Sequence, residues 1–218
     1  MLILASVLAA TAGTSSVRAA QADASTGAPI RIVALGDSLT SGHRLPRAQA
    51  YPAVLESELN QEGIAATVIN HGVSGDTSAD GLRRLPAALA DRPDIMIVAL
   101  GVNDGLRGIA IDRVRRNLET IIERAQQQDV SVLLCAMEAL PLNGWEYTVG
   151  FHQMYLDLAA KYKVPLVPFM MLGVLGNPDL MTSDGVHPNA AGAKILAANI
   201  LPYLRPLATS GAVRHASR

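Results

Sequence analysis

The segment IRIVALGDSL, residues 30–39, decides the fold of this chain. Residues 30–35 are almost all apolar, as is typical of a strand buried on both faces of a parallel sheet. Gly36, Asp37 and Ser38 follow at once, and these residue types favour turns and helix N-caps. The segment therefore predicts a buried strand that leaves its sheet through a turn, with Ser38 at the start of a helix. A serine there is either a helix cap or a nucleophile, and the rest of the chain has to decide between them.

The same alternation of strand and helix patterns continues along the chain. Short apolar runs follow at 64–69, 94–100, 130–135 and 164–167. Segments with helical periodicity lie between and after them, at 50–62, 78–90, 111–128, 147–162 and 189–204. Continuous apolar strands separated by helices predict an α/β fold, a three-layer α/β/α sandwich with a parallel sheet in the middle. Ligands of such sheets bind beyond the carboxyl ends of the strands, so we expect the functional site there.

Length, composition and charge limit the classes of protein. The 218 residues suit one domain, which we assign to residues 28–206, followed by a flexible tail at 207–218. Hydrophobic residues make up 50% of the chain and aromatic residues 4%, which predicts a core of aliphatic side chains. The formal net charge is −1 and there is no run of like charge, so neither nucleic acid nor an anionic membrane is an expected partner. Cys135, the single cysteine, is expected in the core. Nothing in the sequence requires more than a monomer.

Residues 1–24 have the pattern of a secretory signal peptide. Twelve mostly apolar residues precede small and polar ones with A-x-A-like spacing, and the apolar run is too short for a stable membrane span. No lysine or arginine precedes the apolar run, which departs from the usual leader. We therefore expect a periplasmic or secreted protein, the alternative being a disordered extension.

Polar groups that could hydrolyse an acyl bond follow the predicted strands. That reaction needs a nucleophile, a base, a group that orients the base, and donors for the oxyanion. Ser38 would attack, His187 would take its proton, and Asp184 is close enough in sequence to bind the second imidazole nitrogen. The backbone N–H groups of Ser38 and Gly75 and the side-chain amide of Asn103 would hold the oxyanion. Taken singly, each segment also suits an ordinary turn or a capped helix.

Other interpretations fit the residues less well. His71 also follows a strand and competes with His187 as the base, but it lacks a carboxylate at a usable spacing. The α/β-hydrolase elbow G-x-S-x-G is absent, because Thr40 stands where its second glycine is required. A nucleotide-binding loop is disfavoured because His43 occupies the position of the P-loop lysine. A non-catalytic ligand-binding module would use the same groove without needing the triad.

Four blocks of sequence together resemble the SGNH hydrolases, also called the GDSL family. They are GDSLTSG at 36–42, NHGVSGDTS at 70–78, GVNDG at 101–105 and DGVHPN at 184–189. The resemblance covers nearly the whole chain after the leader. Within the family it is greatest to bacterial periplasmic thioesterase I/lysophospholipase and arylesterase-type enzymes, through SGDTS at 74–78, AMEA at 136–139 and VPFMMLGV at 167–174.

The resemblance implies a fold, a site and a reaction class. The fold is a flavodoxin-like five-stranded parallel sheet in the order 2-1-3-4-5. The site residues are the triad Ser38, Asp184 and His187, with Ser38, Gly75 and Asn103 as the oxyanion hole. The substrate is a small-molecule or lipid acyl ester or thioester, and no cofactor or metal is expected. Residues 138–142 depart from the family pattern where related enzymes shape the acyl pocket, so the preferred acyl chain stays open. A carbohydrate O-deacetylase using the same site also stays open, because sequence alone does not position the loops that build the pocket.

Overall fold

The computed structural model describes residues 28–216 and contains a five-stranded parallel sheet. Its strands are β1 (Ile30–Gly36), β2 (Ala66–Gly72), β3 (Ile95–Ala99), β4 (Ser131–Cys135) and β5 (Leu166–Val167). Their order is β2-β1-β3-β4-β5, and every pair is parallel. This confirms the predicted fold class and strand order. The order reverses at β1, whose neighbours are β2 and β3, so the carboxyl end of β1 is the expected location of a site.

Seven α-helices connect or flank these strands in the described part of the chain. They are α1 (Ser38–Ser41), α2 (Tyr51–Gln61), α3 (Ser78–Ala90), α4 (Val102–Leu106), α5 (Ile111–Gln126), α6 (Trp145–Tyr162) and α7 (Ala190–Ala216). Helix α2 packs with α7, while α5 packs with α3 and α6, which gives two helical layers on the sheet. Strands β1 and β3 are almost wholly buried between them, as their continuous apolar sequences predict.

Two glycines bring helix α1 directly onto the ends of β1 and β2. A Cβ atom on Gly36 would overlap the Thr40 side chain and lie 2.8 Å from the Ala99 carbonyl oxygen. A Cβ atom on Gly72 would overlap the backbone of Ser41 in α1. These positions therefore require glycine for close packing, and the packing holds Ser38 at the carboxyl edge of the sheet.

Helix α7 extends past residue 206, the predicted carboxyl-terminal boundary of the domain. Helix α7 continues to Ala216, Ala208 is fully buried, and a Cβ atom on Gly211 would lie 3.5 Å from the Ile30 side chain. The small side chains let the helix pack closely on the start of β1, an effect that a polar local composition does not reveal. The predicted tail therefore belongs to the fold at least through Gly211.

The predicted leader, residues 1–24, lies outside the described residues. Within residues 28–216, none of the helices combines the length and the apolar character that a membrane crossing requires. The core contains Cys135, whose thiol is fully buried, as expected. Burial raises the pKa of this thiol to about 12, so it is not a reactive thiolate.

Candidate active site

Ser38, His187 and Asp184 form a continuous chain of hydrogen bonds at the carboxyl edge of the sheet. His187 Nε2 lies 3.0 Å from Ser38 Oγ, and His187 Nδ1 lies 2.9 Å from Asp184 Oδ2. Ser38 is 149 residues from His187 in sequence, so the fold and not local structure brings them together. This is the geometry of a nucleophile, a base and an orienting acid.

The turn at residues 184–187 explains why an aspartate three residues before a histidine can orient it. Asp184 Oδ1 accepts hydrogen bonds from Thr182 Oγ1 at 2.7 Å and from the backbone N–H groups of Val186 and His187 at 2.9 and 3.0 Å. The second carboxylate oxygen remains for the imidazole. The segment is therefore a capped turn whose geometry also allows Asp184 to orient His187.

The hydrogen bonds to Asp184 also determine the tautomer of His187. The donors from His187, first its backbone N–H and then its side chain, followed by Thr182 and Val186, hold the Asp184 pKa well below its ordinary value. The group is thus a carboxylate, which only accepts, so the imidazole proton lies on Nδ1. In the neutral imidazole, Nε2 is then an acceptor to which the Ser38 hydroxyl can donate.

Asp37 caps helix α1 from a fully buried position. Its Oδ1 accepts a hydrogen bond from the Leu39 backbone N–H at 2.9 Å, whereas its Oδ2 is buried with no hydrogen-bond partner among the described residues. Burial raises the Asp37 pKa to about 7, the Leu39 N–H opposes the change, and the nearby Asp76 and Asp104 carboxylates add to it. The cap leaves the Ser38 N–H, in the first turn of α1, outside the helical hydrogen bonds.

The remaining oxyanion candidates, Gly75 and Asn103, line the same pocket as Ser38 and His187. Gly75 has φ of +87°, and a Cβ atom there would meet no other atom within 4 Å, so its backbone conformation and not crowding requires glycine. The Asn103 side-chain nitrogen donates one hydrogen to the Asp76 carbonyl oxygen at 2.9 Å. An amide nitrogen carries two hydrogens, so a second donor remains at this position.

Arg84 of helix α3 joins the ends of two strands to the loop that contains Gly75. Its guanidinium donates to the Gly36 carbonyl at 3.1 Å, to the His71 carbonyl at 2.9 Å and to Asp76 Oδ2 at 2.7 Å. It therefore ties together the segments before Ser38 and after Gly75. Sequence reasoning missed this residue, because nothing in the local pattern of α3 marks one arginine as different.

A mainly apolar pocket opens beside this group. Its volume is about 530 Å³, within the range of small-molecule sites. Carbon-rich side chains form most of its wall: Leu39, Val102, Leu106, Met137, Leu140, Phe169, Met171, Leu175 and Val186. Residues 138–142, expected to shape the pocket, contribute Glu138 and Leu140.

The other described histidines occupy different places. His71 Nε2 binds Asp91 Oδ2 at 2.6 Å and does not line the pocket, so the rival base does not face Ser38. His152 Nδ1 binds Glu138 Oε1 at 2.7 Å. His43 lies against the His187 ring, with 4.3 Å between ring centroids, a contact that the sequence did not suggest.

Comparison with known proteins identifies a family and several similar enzymes. The model of the GDSL-like Lipase/Acylhydrolase family matches residues 34–195. Esterase TesA of Pseudomonas aeruginosa is 39% identical over 81% of this chain and 88% of that protein. The alignment with the crystal structure of TesA has a TM-score of 0.77 and covers 81% of this chain and 99% of the TesA chain. An arylesterase of Vibrio mimicus is 36% identical over 72% of this chain and 80% of its own, and thioesterase 1/protease 1/lysophospholipase L1 of Escherichia coli K12 is 37% identical over 81% and 84%.

The chain belongs to the GDSL-like lipase/acylhydrolase family. Its five-stranded sheet and flanking helices are those of the SGNH hydrolases, as the four sequence blocks predicted. More particularly, it is an enzyme that hydrolyses ester or thioester bonds, an SGNH-type esterase.

Proposed function

We propose that Ser38 is the nucleophile of this esterase and that His187 and Asp184 activate it. Ser38 Oγ attacks the acyl carbonyl while its proton passes to His187 Nε2, and Asp184 stabilises the imidazolium that forms. His187 then protonates the leaving alcohol or thiol. Water, deprotonated by His187, releases the acid from the acyl-enzyme. The observation that carries this proposal is the 3.0 Å hydrogen bond between His187 Nε2 and Ser38 Oγ.

The oxyanion would be held by the N–H groups of Ser38 and Gly75 and by the Asn103 amide. Support comes from their position around one pocket. The bond from the Leu39 N–H to Asp37 fixes the backbone next to Ser38, and the bond from Asn103 to the Asp76 carbonyl joins Asn103 to the residue after Gly75. Donors held in place before the reaction need no reorganisation as charge develops on the carbonyl oxygen.

The substrate class that the pocket favours is an ester or thioester with an apolar acyl chain. Moving an apolar acyl chain from water to the mainly carbon-rich wall beside Ser38 lowers the free energy of binding. The same wall offers few hydrogen-bond partners for sugar hydroxyls. Aryl esters, lysophospholipids and acyl-thioesters all meet this description. A carbohydrate O-deacetylase is the second candidate, favoured by the polar side chains of His43, Ser74 and Glu138 among the lining residues.

A series of 4-nitrophenyl esters with acyl chains of rising length separates these candidates. Each methylene buried contributes about 0.8 kcal/mol, so kcat/KM should rise about fourfold per methylene until the pocket is full. An enzyme that accepts only acetyl esters, and acetylated xylose best of all, would favour the deacetylase instead.

Variants at two serines test the nucleophile. Ser38→Ala should lose turnover at least about 10³-fold, whereas Ser57→Ala, on the exposed side of α2, should retain it. A 4-nitrophenyl phosphonate should label the unaltered enzyme at Ser38, which mass spectrometry of peptides would detect. Wild-type turnover in Ser38→Ala would exclude Ser38 as the nucleophile.

The location of the enzyme and its state of assembly are further proposals. We propose export to the periplasm or the medium, supported by the leader-like sequence of residues 1–24. We also propose a monomer, since the mechanism needs residues of one chain only. N-terminal sequencing of the mature protein should find a start close to residue 25, and light scattering should give the mass of one chain.

A further inference from the structure

His43 places a second imidazole beside the base and its carboxylate. Helix α1 ends at Ser41, and Gly42, with a φ of +70°, turns the chain after it. The His43 backbone N–H donates to the Ser38 carbonyl oxygen at 3.1 Å. The His43 backbone is thus held over the site. Its side chain is half-buried and contacts the His187 ring, while Nδ1 lies 3.2 Å from Ser74 Oγ.

The geometry points to a zinc-binding site made by His43, Asp184 and His187, in which a bound Zn²⁺ ion inhibits the enzyme. One ligand atom from each of the three residues lies within 4.8 Å of the other two. Two imidazoles and a carboxylate are ligands that zinc takes at three-residue sites, with a water in the fourth position.

The side chains need only a small adjustment to reach zinc-binding distances. Tetrahedral ligands about 2.1 Å from zinc stand about 3.4 Å apart, so no pair of ligand atoms has to approach by more than about 1.4 Å. Asp184 and His187 are already within 2.9 Å of each other. The two hydrogen-bonded atoms must therefore separate by about 0.5 Å and exchange their hydrogen bond for bonds to the metal. The larger movement falls on His43, whose side chain extends from a fixed backbone and is held by a hydrogen bond to Ser74.

Inhibition follows from what the metal would replace, and this step rests on the proposed roles of the triad. Zinc on His187 Nδ1 would displace the bond to Asp184, and zinc on Nε2 would displace the bond to Ser38. Either way His187 loses the lone pair or the orientation that it needs to take a proton.

Arg44 opposes the metal and provides a matched test. Its guanidinium lies 3.9 Å from Asp184 Oδ2, and its side chain is 64% exposed, so it can move aside at the cost of a weak ion pair. Removing this cation should strengthen zinc binding, whereas removing His43 should weaken it. The two changes at adjacent positions thus have opposite expected signs.

The first experiment measures hydrolysis of a 4-nitrophenyl ester against Zn²⁺ concentration, with each variant normalised to its own metal-free rate. The wild type should be inhibited and recover fully with EDTA, while Mg²⁺, which prefers oxygen ligands, should have no effect. His43→Phe should need at least about tenfold more zinc for half inhibition, since even outer partners of metal sites contribute 10- to 100-fold. Arg44→Gln should need about two- to fivefold less.

A second experiment separates the metal site from the catalytic proposal. Calorimetric titration of Zn²⁺ into Ser38→Ala should give one site per chain, and adding His43→Phe should abolish it. His152→Gln, which alters the histidine bound to the pocket residue Glu138, should keep the zinc sensitivity of the wild type. Equal inhibition of the wild type and His43→Phe, or no binding heat in Ser38→Ala, would overturn the zinc site whatever the role of Ser38.

Discussion

Replacing Asp37 by asparagine should change how the stability of the enzyme depends on pH. The Asp37 carboxyl is fully buried beneath helix α1, and its pKa rises from 3.8 to about 7 on folding. Between these values the unfolded chain has lost the proton while the folded enzyme keeps it. Raising the pH therefore favours unfolding until the folded group also ionises near pH 7.

The size of the effect follows from the two pKa values. A difference of about three pH units corresponds to about 4 kcal/mol at 1.36 kcal/mol per unit. Wild-type stability should thus lose about 4 kcal/mol through this group between pH 4 and pH 8. The side chain introduced by Asp37→Asn retains an oxygen that can accept the Leu39 N–H but does not titrate, so the variant should lack this loss.

Urea unfolding at pH 4 and pH 8 measures the difference for the wild type, Asp37→Asn and the exposed control Asp112→Asn. The asparagine also places an amide NH₂ group where Asp37 Oδ2 has no hydrogen-bond partner among the described residues, which lowers the free energy of unfolding by about 1–3 kcal/mol. This loss is the same at both pH values and cancels when they are compared. Relative to the wild type, Asp37→Asn should gain about 4 kcal/mol from pH 4 to pH 8, and Asp112→Asn much less. Parallel curves for the wild type and Asp37→Asn would mean that Asp37 is already ionised in the folded enzyme at low pH.

Three further substitutions test the site. Asn103→Ala should lower kcat about 10²- to 10³-fold with KM little changed, and a kcat within threefold of wild type in steady-state assays would remove Asn103 from the oxyanion hole. Asp184→Asn should lower kcat on the order of 10⁴-fold, because an amide can stabilise the wrong imidazole tautomer; full activity at any pH from 6 to 9 would contradict the triad. Gly75→Ala should cost about 1–2 kcal/mol in urea unfolding from its positive φ, and an unchanged midpoint would argue against the conformation described at that loop.

Most of the fold and the outline of the site could be predicted because both rest on short patterns. The continuous apolar runs place all five strands within one or two residues at their starts, and the strand-end loops contain the five polar groups that converge. Contacts made across the fold left no comparable signal. His43 reaches His187, and Arg84 reaches Gly36, only after the sheet has formed.

The packing of Gly211 on Ile30 brings helix α7 to the amino end of β1, whereas the pocket lies at the carboxyl end. At about 3.3 Å per residue, the seven residues of β1 separate these places by about 20 Å. A tether or carrier protein joined before residue 28 would therefore attach near the amino-terminal edge of the sheet, opposite the carboxyl edge where the substrate enters. Immobilising the enzyme in that way should leave the entrance open to bulky esters, and attachment there is a practical choice for a reusable catalyst.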